Sequence, residues 1–116
     1  MRYGYYSDLA IQEKREKWEK ERKRILRRTN KALGCLSQKI KFSEAYLFGS
    51  VTLPYRFTKD SDVDIGFWGL ANEDFFYAIA FLSREIGRDV DVIQLERHPF
   101  KEKIQTTGVK TWTKNS

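Results

Sequence analysis

Asp62 and Asp64 stand one residue apart at the head of the alternating run Val63-Asp64-Ile65-Gly66-Phe67. Alternation with period 2 is the signature of a half-buried β-strand. Side chains at i and i+2 of a strand share a face, so the two carboxylates project side by side. Two carboxylates this close repel each other unless a cation lies between them. The strand therefore makes two demands on the fold. It needs an apolar core under Val63, Ile65 and Phe67, and a neutralising partner for the acidic pair.

The flanking sequence supplies both. Upstream, Ala45-Tyr46-Leu47-Phe48 reads as a short buried strand closed by Gly49-Ser50, and Val51 to Ser61, with Pro54, reads as a connection. Downstream, Asn72 opens a helix, NEDFFYAIAFLSREIG, with two acidic residues in its first turn and Gly87 as its stop. Phe75, Ile79, Leu82 and Ile86 are its expected core face. A third alternating strand runs from Asp89 to Leu95. His98-Pro99 opens a last short helix to about Thr107, and Val109 to Trp112 reads as an edge strand. His98 is expected at the surface.

Asp91 holds the same relative place on its strand as Asp64 holds on the previous one. If the two strands are neighbours, Asp62, Asp64 and Asp91 form one acidic group. Three carboxylates can hold two Mg²⁺ ions about 3.5–4 Å apart, the arrangement for in-line displacement at phosphorus. Asp89 is a weaker candidate, since it can simply begin the strand. Gly49 lets backbone approach a phosphate, and Ser50 adds a hydroxyl donor. Gly-Ser alone, or Asp-x-Asp alone, carries little information. In this order, between two apolar strands, they point to a nucleoside triphosphate site.

The N-terminal third is a different kind of sequence. From a cap at Ser7-Asp8 to about Lys39, good helix formers run without proline, and Gly34 is a candidate bend or end. Ile11, Trp18, Ile25 and Ala32 fall seven apart, and Leu26, Leu33 and Ile40 form a second row beside them. Glu13/Lys17, Glu16/Lys20 and Glu19/Lys23 are spaced to pair along the helix. Between Glu13 and Arg28, nine Lys or Arg face four Glu, a net +5, against +6 for the whole chain. The helix is thus basic and the rest nearly neutral. Its basic face is either a solvated surface or a site for an acidic partner or RNA. The helix is longer than a domain of this size can cover, so its N-terminal half is expected to project.

With 116 residues the chain is expected to form one domain, residues 1–116, divided into a helix over 1–40 and a core over 41–116. The fold class is α+β, with a small mixed sheet flanked by helices. The lone Cys35 is expected to pack in the helix and excludes an internal disulfide. No apolar leader or membrane-length run is visible, and a cytoplasmic location is the expectation.

Phe48-Gly49-Ser50, Ser61-Asp62-Val63-Asp64-Ile65 and Val90-Asp91-Val92 together resemble the minimal nucleotidyltransferase (MNT) family of the DNA polymerase β-like superfamily. The resemblance spans roughly Ala45 to Leu95 and implies the polymerase β-like palm fold. It implies that Gly49 and Ser50 bind the triphosphate, that Asp62 and Asp64 bind Mg²⁺, and that Asp91 completes the metal site and helps deprotonate the acceptor. It further implies ATP as substrate and a HEPN-domain ribonuclease toxin as partner, AMP being transferred to a toxin tyrosine in an antitoxin role, with the two proteins assembling together. Nucleic acid is not an expected direct ligand. One departure is plain: Val51-Thr52-Leu53-Pro54-Tyr55 has no glycine where family members carry one, and Arg56 and Lys59 are the cations this connection offers. A binding-only antitoxin and a small-molecule nucleotidyltransferase are the alternatives.

Overall fold

A computed structural model describes the backbone of residues 2–114 and the side chains of residues 8–114. The order is α1 (Arg2–Leu36), β1 (Glu44–Phe48), a 3₁₀ turn (Gly49–Thr52), β2 (Val63–Trp68), α2 (Phe75–Ile86), β3 (Val90–Gln94), α3 (Lys101–Thr107) and β4 (Val109–Thr113). Further 3₁₀ turns span Asn72–Asp74 and Leu95–Arg97. The four strands form one mixed sheet in the order β3-β2-β1-β4. β1 is antiparallel to both β2 and β4, while β2 and β3 are parallel. The α+β expectation, the neighbouring of the two acidic strands and the edge strand at Val109 are all met.

Strand alternation sorts the sheet into two unequal faces. Ala45, Leu47, Val63, Ile65, Phe67, Val90 and Val92 point to the large core, where Ile25, Leu33 and Leu36 of α1 and Ala78, Leu82 and Ile86 of α2 cover them. The opposite face carries a smaller cluster of Tyr46, Leu95 and Ile104, with α3 laid over it. Gly66 belongs to this second face, and a β-carbon there would meet the Leu95 side chain at 2.9 Å. Leu95 fills the space that the missing side chain leaves.

Several expectations are corrected. Helix α1 begins at Arg2, so Ser7 and Asp8 lie inside it. No proline interrupts residues 2–7, and a single Gly4 costs only about 1 kcal/mol relative to alanine. The helix passes through Gly34 and stops at Leu36, where Ser37, Lys39 and Ile40 close a tighter turn onto Leu33 and Leu36 carbonyls. Cys35 is exposed, because Ala32, Leu33 and Leu36 take the core-facing positions around it. Among the described residues the helix ion pairs are Glu19–Arg22 and Glu21–Arg24, three apart, and not the expected pairs four apart. A planar guanidinium can fork onto a carboxylate one turn away, which a point-like ammonium cannot. On α2, Ala78 and Phe81 join Leu82 and Ile86 as buried residues, with Phe75 and Ile79 packed partly against them. Gly87 ends α2 in the left-handed conformation as expected, with φ 78°.

Candidate active site

The second face of the sheet changes character along β2. Trp68 and Gly66 lie over the small apolar cluster, and two residues further back the same face carries Asp64. Asp62, just before the strand, continues that row. In the parallel pairing of β2 with β3, Asp64 stands opposite Asp91. In the antiparallel pairing of β1 with β2, Asp64 stands opposite Phe48, the residue before Gly49. The fold therefore brings Asp62, Asp64, Asp91 and the Gly49-Ser50 turn to one end of one face.

Gly49 is required at its position for two reasons. Its φ is +74°, a backbone region that residues with a β-carbon rarely adopt. A β-carbon there would also run into the Asp64 carboxylate. The Asp64 side chain is thus tucked against bare backbone, half-buried, while Asp62 and Asp91 are exposed. Burial, then the charges of Asp91 and Asp62, push the Asp64 carboxyl up to about 6. Burial is the larger cause, and the two neighbouring carboxylates add to the cost of ionising Asp64 without a cation.

Whether Mg²⁺ suits this donor set follows from its chemistry. Among the described residues no group of three or more His, Cys, Asp or Glu side chains closes into a metal cage. Mg²⁺ does not need one, because it keeps waters and takes one or two carboxylates plus substrate phosphates. A frustrated carboxylate beside two exposed ones, next to a glycine turn, fits an ion that arrives with a nucleotide. Asp89 is exposed just before β3. It lines a neighbouring groove of about 470 Å³ with Lys59, Asp62 and Arg88. Its carbonyl accepts the Val63 amide at 2.9 Å, extending the β2–β3 ladder. Of the two cations in the connection, Lys59 lines that groove and Arg56 is exposed outside it.

The connection itself is ordered by residues that sequence reasoning did not single out. Val51 and Phe57 are buried in the large core. Arg88 donates to the carbonyls of Thr58 and Ser61, each at 2.7 Å, and its guanidinium lies 4.4 Å from the Phe57 ring centre. From α1, Arg22 donates to the Val51 carbonyl at 3.0 Å, and Glu19 accepts the Tyr55 amide at 2.9 Å. The signal available in the sequence was only the presence of Glu19 and Arg22 beside the apolar stripe.

This arrangement is the nucleotidyltransferase fold, a mixed sheet with helices on both faces and acidic residues on two adjacent strands. Solved structures carry the comparison further. The chain is 23% identical to one chain of a toxin–antitoxin structure with AMP-PNP, covering 72% of this chain and 73% of that one, with a TM-score of 0.61. It is 24% identical, at a TM-score of 0.55, to a chain of the tri-AMPylated Shewanella oneidensis HEPN toxin in complex with its MNT antitoxin, covering 76% and 71%. A protein of Sulfolobus solfataricus assigned as a nucleotidyltransferase is 21% identical over 84% of this chain and 87% of its own, with a TM-score of 0.53. No protein-family model matches the sequence, and no curated protein matches it.

Proposed function

We propose that this protein is an Mg²⁺-dependent nucleotidyltransferase that moves AMP from ATP to a hydroxyl, a tyrosine of a HEPN-domain toxin, and so acts as that toxin's antitoxin. The observation that carries the reading is the meeting of Asp64 with Asp91 across the parallel strands and with Gly49 across the antiparallel ones. The likeness to a fold found with an AMPylated HEPN toxin and with AMP-PNP supports the choice of nucleotide and partner.

In this reading Asp62 and Asp64 hold the metal, with Asp91 completing the set. Bound Mg²⁺ would neutralise the triphosphate and the pyrophosphate that leaves. Ser50 and the backbone amides of the turn that begins at Gly49 hold the β- and γ-phosphates. Asp91 accepts the proton of the acceptor hydroxyl. The freed oxygen bonds to the α-phosphorus as the bond to the β-phosphate oxygen breaks, and pyrophosphate departs in line. Positioning and charge neutralisation supply most of the acceleration. Helix α1 is the partner-docking element.

Co-expression with the toxin and intact-mass measurement test the reading. Wild type should yield an AMP adduct on the toxin, and the double variant Asp62→Ala with Asp64→Ala should yield none. An undiminished adduct with that variant overturns the assignment. Binding-only neutralisation is the second reading, favoured by the exposed, highly charged residues 8–17 of α1. It prevails if the same double variant still relieves toxicity at ordinary expression levels.

A further inference from the structure

We propose that the Glu19–Arg22 pair of α1 is a positioning pair that holds the Gly49–Tyr55 segment in its phosphate-receiving shape. The proposal rests on the nucleotidyltransferase reading and deepens it, because it names what shapes a loop that lacks the glycine its fold relatives' resemblance leads one to expect.

The two residues are each only 8% exposed although they sit on a highly charged helix. They form a two-pronged pair, Arg22 Nε to Glu19 Oε1 at 2.8 Å and Arg22 Nη2 to Glu19 Oε2 at 2.7 Å. Each then uses its remaining capacity on the connection. Arg22 Nη1 donates to the Val51 carbonyl, and Glu19 Oε1 accepts the Tyr55 amide. The pair thus grips both ends of a five-residue span.

That span begins inside the turn that follows β1, Gly49–Thr52, and the pair's grip acts on the whole turn. Its start is fixed by Gly49 against Asp64. Within it, Thr52 Oγ1 donates to the Gly49 carbonyl at 2.7 Å, and the Leu53 amide donates to the Ser50 carbonyl at 3.1 Å. Its exit requires a left-handed residue, and Tyr55, with φ 63°, takes that position. This conformation is costly for a residue with a β-carbon and persists only where the surroundings hold it. Here α1 holds it twice. Glu19 binds the Tyr55 amide, and the Arg15 guanidinium lies 5.0 Å from the Tyr55 ring centre. A glycine at the exit would adopt the shape unaided; tyrosine needs the helix.

Glu19 and Arg22 touch no substrate in this proposal, so their effect must appear in how the triphosphate is held. Removing both charges together avoids stranding one of them in a dry site, which keeps the fold. The test compares wild type with the double variant Glu19→Leu, Arg22→Met by calorimetry in Mg²⁺, using AMP-PNP and, by competition, AMP. The variant should melt as wild type does and bind AMP-PNP about tenfold more weakly, the worth of one charge-assisted hydrogen bond. AMP, which has no β- or γ-phosphate, should bind unchanged. If the double variant does not fold, Arg22→Lys keeps the buried charge but cannot reach both Glu19 oxygens and the Val51 carbonyl, and it should show the same selective loss. Unchanged AMP-PNP binding, or equal weakening of AMP-PNP and AMP, overturns the proposal. Failure of wild type to bind either nucleotide overturns the functional reading and the proposal together.

Discussion

Asp64 is the side chain on which the acidic group turns. Its carboxyl is raised from an ordinary 3.8 to about 6 by burial, then by Asp91 and Asp62. The folded state therefore holds the proton more tightly than the unfolded chain does. Between those two values the folded protein binds more protons, so the metal-free protein loses stability as pH rises through that window. Glu19 has the opposite sign. The hydrogen bond from Arg22 holds its carboxyl down to about 2, and its contribution is lost as pH falls from the ordinary 4.5 towards that value. The windows scarcely overlap, which makes the Asp64 effect measurable. In EDTA, wild type should lose stability between about pH 4.5 and pH 6.5 relative to Asp64→Asn. Mg²⁺ affinity should rise over the same range as the proton leaves. Parallel melting curves for the two proteins across that range would remove Asp64 as the titrating group.

Helix α1 carries one heptad pattern but two environments. Ile11 and Ile25 belong to the same row, yet Ile11 is 58% exposed and Ile25 fully buried. The row meets the sheet and α2 only from about Arg22 onward, where Arg28 also donates to the Glu85 carbonyl at 2.8 Å. Thr29 is buried within this half and satisfies its hydroxyl on the Ile25 carbonyl at 2.7 Å. Ile25→Ala should therefore destabilise the protein by about 3 kcal/mol in a chemical denaturation experiment. Ile11→Ala should stay within about 0.5 kcal/mol of wild type. Equal effects would mean that the first half of the helix is packed in solution.

The molecule measures 57 × 27 × 24 Å, and its long axis is set by α1, whose 35 residues span about 52 Å. Residues 8–17 are exposed without exception and carry three bases against three acids, so the rod that extends from the body is charged but neutral, and the excess positive charge of α1 lies nearer the body, over Lys20–Arg28. Among the described residues no helix is long and apolar enough to cross a membrane. Deleting residues 1–13, which leaves Arg15 on Tyr55, should shift the melting temperature by less than about 3 °C, because it removes no buried side chain among those described. The same deletion should abolish co-purification of a co-expressed HEPN toxin if the rod is the docking element. Retained co-purification would place the toxin contact on the remaining, basic part of α1 or on the body. Deleting through Arg28 would not serve, since it takes away Glu19, Arg22 and Ile25.

The strands, their partners and the acidic group were legible because each rests on a local rule. Alternation in Val63 to Phe67 and in Val90 to Val92 set the buried face, and a period of two left Asp64 and Asp91 no other face to occupy. The extent of α1 was less legible at its start, since a potential cap at Ser7 does not stop a helix whose preceding residues tolerate one. Cys35 and the ion pairs of α1 were misjudged for a related reason: a helical repeat tells which residues share a face, but not how much of that face something covers. Least legible was the connection from Val51 to Ser61. Its shape is imposed by Glu19, Arg22 and Arg88, which lie roughly thirty residues away along the chain on either side of it. Spacing along a strand fixes chemistry at short range. A loop held from a distant helix acquires its geometry only when hydrogen bonds that no local pattern encodes have closed.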